Sequence, residues 1–72
     1  MNFSEEEVSQ FEYVVDRPMF ENRYNWLWGI YAPQSNWAFI CGGRSSSEKQ
    51  ANQAAQHALN LIKDTKRVYF NG

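Results

Sequence analysis

Few side chains in this 72-residue chain are equipped to do chemistry, and those few stand apart. His57 is the sole imidazole and Cys41 the sole thiol. His57 falls at the polar edge of an expected helix, with no Cys, His or carboxylate at ligand spacing, which reads as a solvated helix histidine. Cys41 lies in a strand among aromatic residues, the setting of a small buried hydrophobe rather than a nucleophile. A lone cysteine also excludes an internal disulfide and a cysteine-built zinc site. No base accompanies Cys41 or the serines, so a hydrolase has no assembled parts. We therefore expect no catalytic residue, no metal ligand, no cofactor and no enzyme activity.

The richest polar cluster is Gly42-Gly43-Arg44-Ser45-Ser46-Ser47 with Lys49, at the start of a helix. Backbone N–H groups, a helix dipole, hydroxyls and two cations form a candidate site for a phosphate or carboxylate. The candidate set is Gly43, Arg44, Ser45, Ser46, Ser47 and Lys49, extended by Lys63, Lys66 and Arg67 near the tail. It lacks the Gly-Lys-Ser/Thr order of a nucleotide-binding loop. The plainer reading is a strand-to-helix corner, with glycines for the turn and serines for capping.

These groups must be positioned by a small α+β fold: a three-stranded antiparallel sheet with one long helix on one face. We read a single domain over 1–72, divided into an acidic segment (1–10), the sheet (11–43), the helix (46–63) and a tail (64–72). Ser4-x-x-Glu7 has the form of a capping box, so a short helical turn is expected there. Phe11, Tyr13 and Val15 would share one face of a first strand that ends before Arg17-Pro18. Met19–Arg23 reads as a connection that tucks Met19 and Phe20 under the sheet edge.

Two aromatic strands follow, Tyr24–Ala32 and Asn36–Gly42, joined at Pro33-Gln34-Ser35-Asn36. A four-residue turn would set Ala32 opposite Trp37, Ile30 opposite Phe39 and Trp28 opposite Cys41. Period-two alternation then places Trp26, Trp28, Ile30, Trp37, Phe39 and Cys41 on one face. Leu27, Gly29, Tyr31, Ala38, Ile40 and Gly42 fall on the other. The helix has an N-cap at Ser47 with Gln50 three residues on, or at Ser45 with Glu48. Its stripe of Ala51, Ala54, Ala55, Ala58 and Ile62, flanked by Leu59 and Leu61, calls for a bulky opposing surface, which the tryptophan face supplies. Val68-Tyr69-Phe70 is apolar enough to dock as an extra edge strand.

Composition bounds the function. Twelve aromatic residues (five Phe, three Trp, four Tyr) compensate for a chain near the lower size limit for a single core. No apolar run reaches the length of a membrane span and no signal-peptide pattern opens the chain, so a cytoplasmic location without a membrane is expected. The net charge of −1 is divided unevenly. Six acidic residues against one basic give −5 over 1–21, while six basic against two acidic give +4 over 22–72. Either the acidic segment folds back beside the basic part, or it is a tail that competes for a basic site or contacts a basic partner.

The helix Ser47-Glu-Lys-Gln-Ala51-Asn-Gln-Ala54-Ala55-Gln-His-Ala58-Leu59-Asn-Leu-Ile62, after three strands, resembles the last helix of double-stranded-RNA-binding domains. That family opens the helix on Ser-Lys-Lys-x-Ala-Lys; here the corresponding positions carry Glu48, Lys49 and Asn52, so one of three lysines is matched. The full-length first helix of the family is also missing or much shortened, as is its histidine between the first two strands. More loosely, the chain is similar to three-strand-plus-helix DNA-binding domains such as the arm-binding domains of tyrosine integrases. Those use arginine-rich strands, and no basic residue lies between Tyr24 and Gly43. The resemblance implies an architecture; activity does not follow from fold alone.

One helix covers one sheet face, so the second face needs an occupant. Coverage by Phe3, Val8 and Phe11 is one solution. A protein partner or a second copy meeting Leu27, Tyr31, Ala38 and Ile40 is another. The sequence reading is a small non-catalytic protein-interaction module, such as a phage or bacterial accessory or inhibitory protein that docks on a larger assembly. The alternative is a nucleic-acid-binding module that sets the basic helix N-terminus and tail against phosphate.

Overall fold

A computed structural model describes residues 2–17 and 26–68. The elements run α1 (Glu5–Ser9), β1 (Glu12–Asp16), β2 (Trp26–Ala32), β3 (Ala38–Ser45) and α2 (Glu48–Thr65). The strands form an antiparallel sheet in the order β1-β2-β3, and α2 crosses one face. This is the expected α+β architecture. The capping box forms as its sequence dictates: Ser4 Oγ accepts from the Glu7 N–H at 3.1 Å, and Glu7 Oε1 accepts from the Ser4 N–H at 2.9 Å. Residues 18–25 and 69–72, including the expected Met19–Arg23 connection, Tyr24 and most of the tail, lie outside the described residues.

The hairpin departs from the expected register. Ile30 pairs with Cys41, Trp28 with Gly43 and Ala32 with Ala38. Pro33–Ser35 form a 3-10 turn, and both Asn36 (φ 59°) and Trp37 (φ 56°) adopt the left-handed conformation. The connection thus takes in Trp37, one residue more than expected. The ladder then shifts between Ile30 and Tyr31: Tyr31 pairs with Phe39, and Ile40 is the extra residue of a β-bulge. A strand alternates strictly unless a residue is inserted, so the bulge exchanges the sides of Phe39 and Ile40. Phe39 stands on the face away from α2, and Ile40 packs against the core. The strand also continues through Gly43, Arg44 and Ser45, so the two glycines are paired in the sheet rather than making a corner.

α2 lies where alanines allow close approach. Ala51, Ala55, Ala58 and Ile62 are buried on its sheet side; Ala58 and Ile62 share one core with Ile30, Ala32 and Cys41, and Trp28 and Ile40 pack alongside. Leu61, expected to flank this stripe, is 36% exposed. The helix therefore covers Trp28 as expected but neither Trp37 nor Phe39. At the β1 side the Tyr13 hydroxyl donates to Asn52 Oδ1 (3.2 Å) and accepts from Gln56 Nε2 (3.1 Å), tying the edge strand to the helix.

The N-terminal segment closes the end of this same core. Val8 and Phe11 are buried in it, and Phe3 meets Phe11 edge-on at 5.0 Å. The Phe3 N–H donates to the Lys66 carbonyl at 2.9 Å, and Asn2 bridges to Arg67. The acidic segment thus folds back beside the basic end of α2, and Phe3, Val8 and Phe11 do not cover the second sheet face. Val68 also packs against the core.

The contact between α2 and the sheet yields a stability prediction. Ala55→Leu should overpack the interface and cost roughly 1–3 kcal/mol, because the site has no room for added methylenes. Gln53→Leu, on the exposed side of the same helix, should change Tm little. Thermal melts of the two variants test this; equal Tm losses would contradict the packing described.

Candidate docking face

On the side away from α2, cross-strand pairing lays out three rows. Glu12, Tyr31 and Phe39 form one, Val14, Gly29 and Gly42 the next, and Asp16, Leu27 and Arg44 the third. Each row steps from β1 through β2 to β3. Val14, Leu27 and Phe39 are 43%, 37% and 59% exposed, and Trp37 beyond the first row is 53% exposed. Large apolar side chains left uncovered together on so small a chain mark an interaction surface more often than scattered single exposures do.

The aromatic rings lie along the sheet instead of standing off it. A Cβ placed on Gly29 would fall 2.7 Å from Tyr31 Cε2, so the Tyr31 ring occupies the space that residue leaves open. A Cβ on Gly42 would fall 3.1 Å from Phe39 Cε1 and 2.4 Å from the Trp28 carbonyl oxygen. Tyr31 meets Phe39 edge-on at 5.6 Å and Trp37 at 6.5 Å, a continuous aromatic end to the face. The remainder is an open trough of about 440 Å³, floored by glycine and bordered by Val14, Leu27, Asp16 and Arg44. Its charges differ by strand: carboxylates on β1, a guanidinium on β3.

Of the residues expected to dock, Leu27 and Tyr31 lie on this face. Ala38 is exposed opposite Ala32 near the turn, and Ile40 is turned into the core by the bulge. Val14, Asp16, Trp37 and Phe39 were not anticipated. Alternation alone placed Phe39 on the wrong side, and the β1–β2 register that brings in Val14 and Asp16 has no local sequence signal.

The candidate anion residues do not converge. Gly43 and Ser45 are strand residues, and Arg44 borders the trough. Ser47 caps α2 by accepting from the Gln50 N–H, and the Ser46 hydroxyl bonds the Gln50 side chain. Lys49 and Lys63 are separated by about 21 Å of helix, with Lys66 and Arg67 beyond. Elsewhere, His57 is exposed on α2. Cys41 is fully buried, and burial pushes its thiol pKa up, which suppresses the thiolate. Among the described residues, no group of three His, Cys, Asp or Glu side chains could hold a metal ion, and no helix is long and apolar enough to cross a membrane.

Comparisons with protein-family models, curated proteins and solved structures give no match. The reading of this face therefore rests on its own geometry.

Two outcomes follow. Gly42→Ala should destabilise the fold by roughly 1–3 kcal/mol, since the new methyl meets backbone rather than a side chain that could rotate away; denaturant melts check it. Cys41 should resist alkylation in the native protein and react on unfolding, as followed by mass spectrometry. Because its folded pKa is raised, its contribution to stability is full below the unfolded thiol pKa of about 8.5 and declines as pH rises past it. A Cys41→Ala variant should lose that part of the alkaline decline.

Proposed function

We propose that this chain is a small non-catalytic protein-interaction module that docks through the face of β1–β3 opposite α2. The observation that carries the reading is Trp37. A bulky aromatic residue is held at φ 56° and yet is more than half exposed. The left-handed region costs a non-glycine residue on the order of 1–3 kcal/mol. A fold under selection for stability alone has little reason to keep a tryptophan there, whereas a surface that presents an aromatic anchor does. Tyr31 and Phe39 extend the anchor across the sheet, and polar residues rim it. Such a module suits a small accessory or inhibitory protein of a bacterial or phage assembly.

A second reading has one observation in its favour. Tyr31, Phe39 and Trp37, with Arg44 at the far end of the same face, resemble the aromatic platforms on which single-stranded nucleic acids stack. Glu12 and Asp16 on the same face oppose a phosphate backbone, and the net charge of −1 gives no long-range attraction. A partner carrying both signs of charge fits better.

Trp37→Asn separates the anchor from the fold, since asparagine tolerates the left-handed region. It should leave Tm unchanged or raised while weakening whatever the immobilised protein retains from host lysate, copies of itself included. Phe39→Glu should remove that retention, because a charge desolvated at a contact costs several kcal/mol, while circular dichroism stays unchanged. Retention should also survive moderate salt and the loss of Lys63, Lys66 and Arg67. Binding that instead falls steeply with salt and depends on those cations would favour the nucleic-acid reading.

A further inference from the structure

We infer that the occupant of this face is a second copy of the chain, packed sheet to sheet about a two-fold axis running along β2; the inference rests on the docking reading. Two such sheets would lie about 10 Å apart with their strands nearly aligned. A two-fold axis along β2 lays β1 of each copy over β3 of the other and keeps each row opposite itself. Asp16 then meets Arg44 of the second copy, and the symmetry makes that ion pair twice. Val14 meets Gly42, beside which the Phe39 ring lies, and Glu12 meets Phe39, each again twice. Leu27 meets Leu27 and Tyr31 meets Tyr31 near the axis. The row of Asp16 and Arg44 is thus self-complementary in charge, as an isologous interface requires.

The other in-plane axis, across the strands, fails on the same grid. It sets β1 on β1, so Glu12 would face Asp16 of the second copy at two places with no cation between them. The arrangement of charge by strand therefore selects one of two symmetric docking modes. An unrelated partner would not require acid on one edge strand and base on the other at the same row.

The face is small. Three strands about 4.8 Å apart and about 17 Å long, with Trp37 added, bury on the order of 400–500 Å² per copy. The total of about 800–1,000 Å² sits below standard-size interfaces, so the dimer should be weak, with Kd in the micromolar range or above.

Sedimentation equilibrium across micromolar to millimolar protein should show the mass rising from 8.5 kDa toward twice that value. Asp16→Arg and Arg44→Asp should each weaken self-association at least tenfold, and the double exchange should restore it. Both positions are exposed in strands, and circular dichroism with amide dispersion confirms folding; Asp16→Asn, a milder change, should weaken it less. A monomer at millimolar concentration overturns the proposal. So does a dimer indifferent to both reversals, or one weakened by both and not restored by the exchange. A monomer that still loses a lysate protein on Phe39→Glu overturns the second copy while leaving the docking reading standing. A monomer that binds single-stranded RNA through Tyr31 and Phe39 overturns both.

Discussion

The inserted residue in β3 decides which side of the sheet each aromatic group occupies. Without the bulge, Phe39 would point into α2 and Ile40 into solvent. The shift turns Ile40, in place of Phe39, toward the core that α2 and Trp28 share. A smaller side chain fills that position, and Phe39 is left outside beside Tyr31. The shift thus settles the packing of the core and the composition of the open face together. Bulges are common where a sheet must redirect a side chain, and here the redirected residue is the most exposed large apolar group among those described.

The helix side is completed by segments that the sheet alone could not supply. Alanines bring α2 close but contribute little apolar volume, so the core depends on Ile30, Ile62, Phe11 and Val8 at its centre and end. The short α1 could not persist in isolation. It survives because its capping box satisfies the first turn and Val8 is anchored under α2. Phe3 pairs with the αL residue Lys66 through the backbone, so the start of the described chain and the end of α2 stabilise one another. Among the described residues, the apolar groups near the N-terminus, Phe3, Val8 and Phe11, are therefore committed to one side of the sheet.

Much of this was legible in the sequence. The capping box, the period-two strands and the alanine stripe each have a local cause, and the α+β architecture follows from them. The register had no such local cause. It depended on a left-handed Trp37, a conformation that bulky residues avoid and that no residue-type preference predicts. A connection longer by one residue then moved the pairing and required the bulge. The candidate site suffered accordingly: Leu27 and Tyr31, set by β2 alone, were placed correctly, while Phe39 and Ile40, set by the register, were exchanged. The glycine-serine run misled for a related reason. Gly42 and Gly43 read as turn residues, yet they are glycine because the Trp28 carbonyl, Phe39 and the Trp28 ring crowd them within the sheet.

On the proposed docking reading, this face stands open between encounters, and its layout limits what it then exposes. Tyr31 and Phe39 lie flat over glycines, which reduces the apolar area each ring presents compared with a ring standing upright. Glu12, Asp16 and Arg44 place charge at both edge strands, where unpaired backbone would otherwise invite indiscriminate strand addition. Those same charges penalise any contact that sets like against like. On the same reading these features also confer selectivity, since the aromatic groups lie at one end of the face and opposite charges on its two edge strands. Affinity from so small an area is necessarily modest, and selectivity has to come from arrangement instead of extent.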